Sequence, residues 1–113
     1  MKNFLLTLAF LLGISVQAVL AAGANFAVIS DPHFYDTDLG TTGQAFEAYL
    51  AQDRKMLQEG EAILKAAIQT IRAKKPDFVI IPGDLTKDGE LTSHQKLARH
   101  LSVLEKSGIK VFV

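Results

Sequence analysis

At 113 residues the chain has room for one domain at most. Its twelve basic and twelve acidic side chains cancel, so no electrostatic footprint points to a nucleic-acid partner. An apolar fraction of 49% supports a packed core and excludes a disordered composition, while the absence of cysteine excludes disulfide frameworks, thiolate metal sites, cysteine nucleophiles and lipid attachment through an N-terminal cysteine.

Residues 1–24 have the form of a signal peptide. Lys2 is a short positive n-region, Phe4–Val16 is an uncharged, Leu-rich h-region, and small residues follow at cleavage-compatible spacing, as Val19-Leu20-Ala21 or Ala22-Gly23-Ala24. The alternative is an N-terminal membrane anchor, because no charge occurs from Asn3 to Ser30. Gln17 and the Ala/Gly-rich end favour cleavage. The expectation is a domain over 25–113, exported by a bacterial Sec-type route to the periplasm, cell envelope or exterior, and not membrane-inserted once the leader is removed.

Phe26-Ala27-Val28-Ile29 is a continuous apolar run, which suits a strand covered on both faces. The stretch from Asp31 to Gly43 carries Pro32, Asp36, Asp38, Gly40 and Gly43 and reads as a loop. A helix begins between Gln44 and Asp53; in its later half Met56/Leu57, Ile63/Leu64, Ala67/Ile68 and Ile71 recur at helical spacing, with Gly60 a weak point and Lys74-Lys75-Pro76 the stop. Phe78-Val79-Ile80-Ile81 is a second strand. After the polar loop Asp84–Leu91, Thr92 and Gln95 fit a capping box, and the next helix buries Leu97, Leu101 and Leu104 up to Gly108. Ile109–Val113 reads as a third strand. The order β-α-β-α-β predicts an α/β fold with a parallel sheet. The Val-Phe-Val end, with no polar turn after it, leads to the expectation that this is the front part of a longer protein, truncated in the third strand.

Chemistry concentrates at two strand exits. Asp31-Pro32-His33 follows the first strand and Gly83-Asp84 follows the second, so two carboxylates and an imidazole reach the sheet edge where ligands bind in open α/β folds. Oxygen and nitrogen donors without sulfur suit Mn, Fe or Zn better than Mg or Ca, and one carboxylate can bridge two cations. The competing reading is local: Asp31 caps a turn, His33 is an ordinary loop residue and Gly-Asp is a solvated turn. Strand context for both motifs favours metal. Thr86, Lys87, Asp88 and Glu90 read as turn and capping residues rather than groups orienting the ligands. Tyr35, Phe46 and Tyr49 suit packing of the long loop more than a substrate entrance. Asp53-Arg54-Lys55 reads as a solvated helix face, with a phosphate contact from Arg54 unsupported. His94 and His100, six apart, do not share a helix face and read as surface residues. There is no Gly-rich dinucleotide fingerprint, Walker motif or Gly-x-Ser-x-Gly elbow.

The stretches VISDPHF (Val28–Phe34) and VIIPGDLTKDGE (Val79–Glu90) resemble the first two motifs of the calcineurin-like metallophosphoesterases, and the surrounding elements extend the resemblance over residues 26–113. The resemblance implies the N-terminal part of a four-layer α/β sandwich and a phosphate-ester substrate. It further implies two divalent metal ions (Mn, Fe or Zn) and attack on phosphorus by a metal-activated hydroxide. Asp31 and His33 would bind the first metal and Asp84 would bridge both. The family's Gly-Asn-His-acid motif and later histidines do not occur here, so the expectation is that this chain carries only part of the site and is inactive as a fragment alone. The alternative of a different class is an exported, non-catalytic binding or interaction module that keeps the fold. Substrate identity and oligomeric state are not legible.

Overall fold

The computed structural model of the protein describes residues 23–113, so the expected signal peptide lies outside the described residues except for Gly23 and Ala24, which are irregular and exposed. Three parallel strands, β1 (Phe26–Val28), β2 (Phe78–Ile80) and β3 (Lys110–Phe112), lie in the order β1-β2-β3. Three helices connect them: α1 (Gln44–Gln52) and α2 (Gly60–Lys74) between β1 and β2, and α3 (Leu91–Glu105) between β2 and β3. The register aligns Ala27, Val79 and Val111 across the sheet. Each assigned strand is shorter than its apolar run. Pairing nevertheless continues past β1 and β2, as Ile29 N–H donates to Ile80 O at 3.0 Å and Ile81 N–H to Phe112 O at 2.8 Å.

Alternation along the strands decides which face is covered. Val79 and Ile81 are buried in one cluster with Leu64, Ile68 and Ile71 of α2 and Leu97, Leu101 and Leu104 of α3. Both long helices therefore pack on the same face, as two crossovers of one hand require when the strands follow in order. The other face carries Phe26 and Phe112, each 53% exposed, and Val28 at 54%. This corrects the expectation of strands covered on both faces. Among the described residues the apolar runs serve a helix layer on one side and an open face on the other, where the Phe26 and Phe78 rings stack at 5.3 Å.

The single helix expected between β1 and β2 is two. Asp53 ends α1 in an extended conformation, its carboxylate accepting the Tyr49 hydroxyl at 2.9 Å and the Lys55 N–H at 3.2 Å. That i→i+2 bond is the local alternative to helix that aspartate offers. Gly60 accordingly opens α2 rather than weakening a helix middle, Met56 lies exposed on the connection, and Leu57 beside it is buried. The capping box is also absent. Glu90 is the N-cap of α3, makes no side-chain cap bond, and leaves Thr92 inside the first turn. Ser93 is spent elsewhere, fully buried as the acceptor of the Asp36 N–H at 3.1 Å. The helix stops are as expected: Lys75 takes the left-handed C-cap of α2 (φ 50°), and Gly108 makes the left-handed step after α3 (φ 83°). Among the described residues no helix is long and apolar enough to cross a membrane.

Candidate metal centre

Asp31 and Asp84 leave adjacent parallel strands at the same edge, and the loops that carry them are joined to each other. The His33 N–H donates to Asp84 O and the Phe34 N–H to Leu85 O, both at 3.0 Å, and the Lys87 N–H returns to Phe34 O at 3.1 Å. Phe34 and Thr86 form a parallel bridge that resumes the β1–β2 pairing beyond the two turns. Two loops that diverge on leaving the sheet are thereby pinned at the residues of interest.

The side chains follow the backbone. His33 Nε2 is 3.5 Å from Asp84 Oδ2, with the Asp84 side chain 70% exposed. Asp31 turns its carboxylate over Gly83, so closely that a Cβ there would stand 2.9 Å from Oδ1. The Ser30 hydroxyl donates to the other oxygen, Oδ2. His33 Nδ1 is buried and has no hydrogen-bond partner. The three candidate ligands are thus brought to one edge in two contacts, the His33–Asp84 pair and Asp31 over Gly83. Among the described residues, no three acidic, histidine or cysteine side chains form a metal-holding group. The donor chemistry fits a divalent cation: two carboxylates and an imidazole whose Nε2 faces Asp84, at a position where the glycine leaves the room that Asp31 uses.

Backbone strain marks the same residues. Among the described residues four non-glycine positions have positive φ, and three of them are Asp31 (46°), His33 (41°) and Asp84 (21°). Such conformations cost on the order of 1–3 kcal/mol each and persist where surrounding structure over-determines them, which is characteristic of functional sites. Aspartate and histidine tolerate the region better than most residues, so the sequence accommodates the strain with ligand-capable side chains.

The neighbouring candidates take structural roles. Thr86 Oγ1 accepts the Gly89 N–H at 3.0 Å and lies 3.2 Å from His94 Nε2; Glu90 accepts the Asp88 N–H at 3.2 Å. Lys87 pairs with Asp88 and covers the Tyr49 ring, its Nζ 4.0 Å from the centroid. Tyr35 packs on Phe46 and donates its hydroxyl to Gly40 O at 2.7 Å. Arg54 is exposed and makes no ion pair among the described residues.

Sequence reasoning missed a charged network beside the centre. Lys96 Nζ lies 2.9 Å from Asp36 Oδ1 and 3.0 Å from Glu61 Oε2, and His100 Nε2 lies 3.3 Å from Glu61 Oε1. His100 is therefore not a surface residue: its side chain is 17% exposed and its ring meets the edge of Phe34. The hydrogen bonds from Lys65 and then Lys96 hold the Glu61 carboxyl down to about 2. Lys96 likewise lowers Asp36 and is itself raised by both carboxylates. The available signal was the spacing 93, 96, 100, a polar stripe on one face of α3; weighing His94 against His100 paired the wrong positions.

A family model described as calcineurin-like phosphoesterase matches residues 24–113. The chain belongs to that family, and its parallel α/β architecture is compatible with the N-terminal part of the family's fold. No curated protein matches the chain.

Proposed function

We propose that this calcineurin-like phosphoesterase is an exported, metal-dependent hydrolase of phosphoric monoesters or diesters, with Asp31, His33 and Asp84 as metal ligands. The family supports a phosphoesterase-type hydrolase and divalent-metal binding in general. The observation that carries the residue assignment is the coincidence of positive φ with all three candidate ligands at one sheet edge. Asp31 and His33 would hold one cation. The Asp84 carboxylate, exposed and 3.5 Å from His33, has two oxygens with which to serve that cation and a second. Oxygen and nitrogen donors favour Mn, Fe or Zn. Divalent cations at such a site lower the pKa of water and offset charge gathering on the phosphoryl oxygens. The His33 N–H to Asp84 carbonyl bond keeps the two loops, and so the two groups of ligands, in fixed relation.

The test is hydrolysis of an aryl phosphate in the presence of Mn²⁺ by the full-length protein and by its Asp84→Asn form. The expected loss is about a hundredfold or more; unchanged activity sinks the assignment. The second reading is a module that keeps the fold without the chemistry, favoured by the family's Gly-Asn-His-acid motif not occurring in this sequence. Metal analysis separates the two: stoichiometric divalent metal retained by the purified protein excludes the second. The export reading rests on the leader and is tested by N-terminal sequencing, where Ala22 or Asn25 is the expected first residue and Met1 the contrary result.

A further inference from the structure

The Asp31–His33 turn continues directly into Phe34, Tyr35 and Asp36, all buried. One face of α3 grips this continuation at three levels. Ser93 accepts the Asp36 N–H, Lys96 takes the Asp36 carboxylate, and His100 sets its ring against Phe34. Lys96 also reaches Glu61 in the first turn of α2, so a single ammonium joins the loop to both long helices. Without that cation the Asp36 carboxylate would lose its compensating charge and face Glu61, which keeps Lys65 at 2.7 Å. Buried ion pairs are poor sources of net stability, and their better-attested use is to select one conformation. A turn held at positive φ at two non-glycine residues, Asp31 and His33, is a place where such selection is needed.

We propose that Lys96 is a positioning residue for the metal centre: by joining Asp36 to Glu61 it holds the Asp31–His33 turn in the conformation that presents its ligands. Lys96 pairs with Asp36, Asp38 and Glu61 and with none of the three proposed ligands, and acts through Asp36, three residues after His33. The inference rests on the metal reading of that turn. The low Glu61 carboxyl, at about 2, keeps the network charged across the neutral range.

The experiment is a Mn²⁺ titration of the intact protein, following the free ion by electron paramagnetic resonance well below each variant's melting midpoint. Lys96→Met is expected to weaken Mn²⁺ binding by about tenfold, within the range seen when groups behind a ligand are removed. Lys96→Arg, which keeps a cation able to bridge two carboxylates, is expected to return to within about threefold of wild type. Arg72→Met is the control. Arg72 donates to Ser107 at 3.0 Å and ties the far ends of α2 and α3 together. It should alter stability and leave Mn²⁺ affinity unchanged. Equal weakening by Lys96→Met and Arg72→Met, or none by Lys96→Met, overturns the proposal. If Lys96→Met does not fold, Ser93→Ala carries the test through the same loop, with weakened affinity at an intact fold in support and wild-type affinity against. A wild-type protein that binds no Mn²⁺ removes the metal reading itself, and the role of Lys96 falls with it; binding by wild type together with indifference at Lys96 refutes the positioning role alone.

Discussion

Gly83→Ala separates backbone strain from the geometry of the centre. Gly83 has φ 73°, where an L residue costs about 1–2 kcal/mol. The restricted unfolded chain returns about 0.4–1 kcal/mol of that. The new Cβ would also stand 2.9 Å from Asp31 Oδ1, closer than real contacts allow. Because that oxygen ends a short side chain, the clash resolves by swinging the carboxylate off its rotamer, at about 0.5–1.5 kcal/mol. The net expectation is a loss of about 1–2 kcal/mol in stability and about a tenfold or greater loss in Mn²⁺ affinity, since Asp31 must leave its position. Gly89→Ala is the matched comparison: its φ is 82° and a Cβ there would meet nothing within 4 Å. It should pay a similar backbone cost and bind Mn²⁺ as wild type does. Urea unfolding with and without Mn²⁺ reads both quantities. Equal Mn²⁺ affinity in the two variants would refute the placement of Asp31 as a ligand.

Acid should loosen the network through Glu61. Its folded pKa, about 2, lies below the ordinary 4.5, so its contribution is present above about pH 4.5 and disappears as pH falls through about 2. With the side chain 25% exposed, screening reduces the contribution to about 1–2 kcal/mol. Glu61→Gln should therefore be less stable than wild type by that amount at pH 7, with the two denaturation curves converging on acidification; a pH-independent gap would contradict the assignment. In the core, Leu104→Ala, at a fully buried position, is expected to cost about 3 kcal/mol, whereas Val103→Ala beside it, 37% exposed, should stay within about 0.5 kcal/mol. Thermal or urea denaturation checks both, and similar costs would contradict the packing described for α3.

Much of the architecture was legible because its signals are local. The apolar runs at Phe26 and Phe78, the helical spacing of Leu97, Leu101 and Leu104, and the stops at Lys74–Pro76 and Gly108 each dictate one element, and parallel order follows from their alternation. The strand exits could be named for the same reason. Illegible features depended on competition or distance. Asp53 breaks a helix that the apolar spacing supports, because its carboxylate bonds the Lys55 N–H in a turn. Thr92 and Gln95 satisfy the capping pattern, but Ser93 faces inward to meet Asp36, 57 positions away in sequence, and helix α3 starts earlier than that pattern places it. A run such as Phe26–Ile29 cannot say whether its second face meets helices, another sheet or open space. The Lys96 network joins a loop and two helices, and no single window of sequence contains it.

The central claim is that Asp31, His33 and Asp84 bind metal together. The most direct measurement is anomalous diffraction at the manganese edge from crystals of the protein soaked in Mn²⁺. The account predicts an anomalous peak about 2–2.3 Å from a carboxylate oxygen of Asp31, His33 Nε2 and an oxygen of Asp84, within the range for divalent metals and such donors. Full-occupancy manganese elsewhere, or crystals with these three side chains ordered and no peak among them, would contradict it.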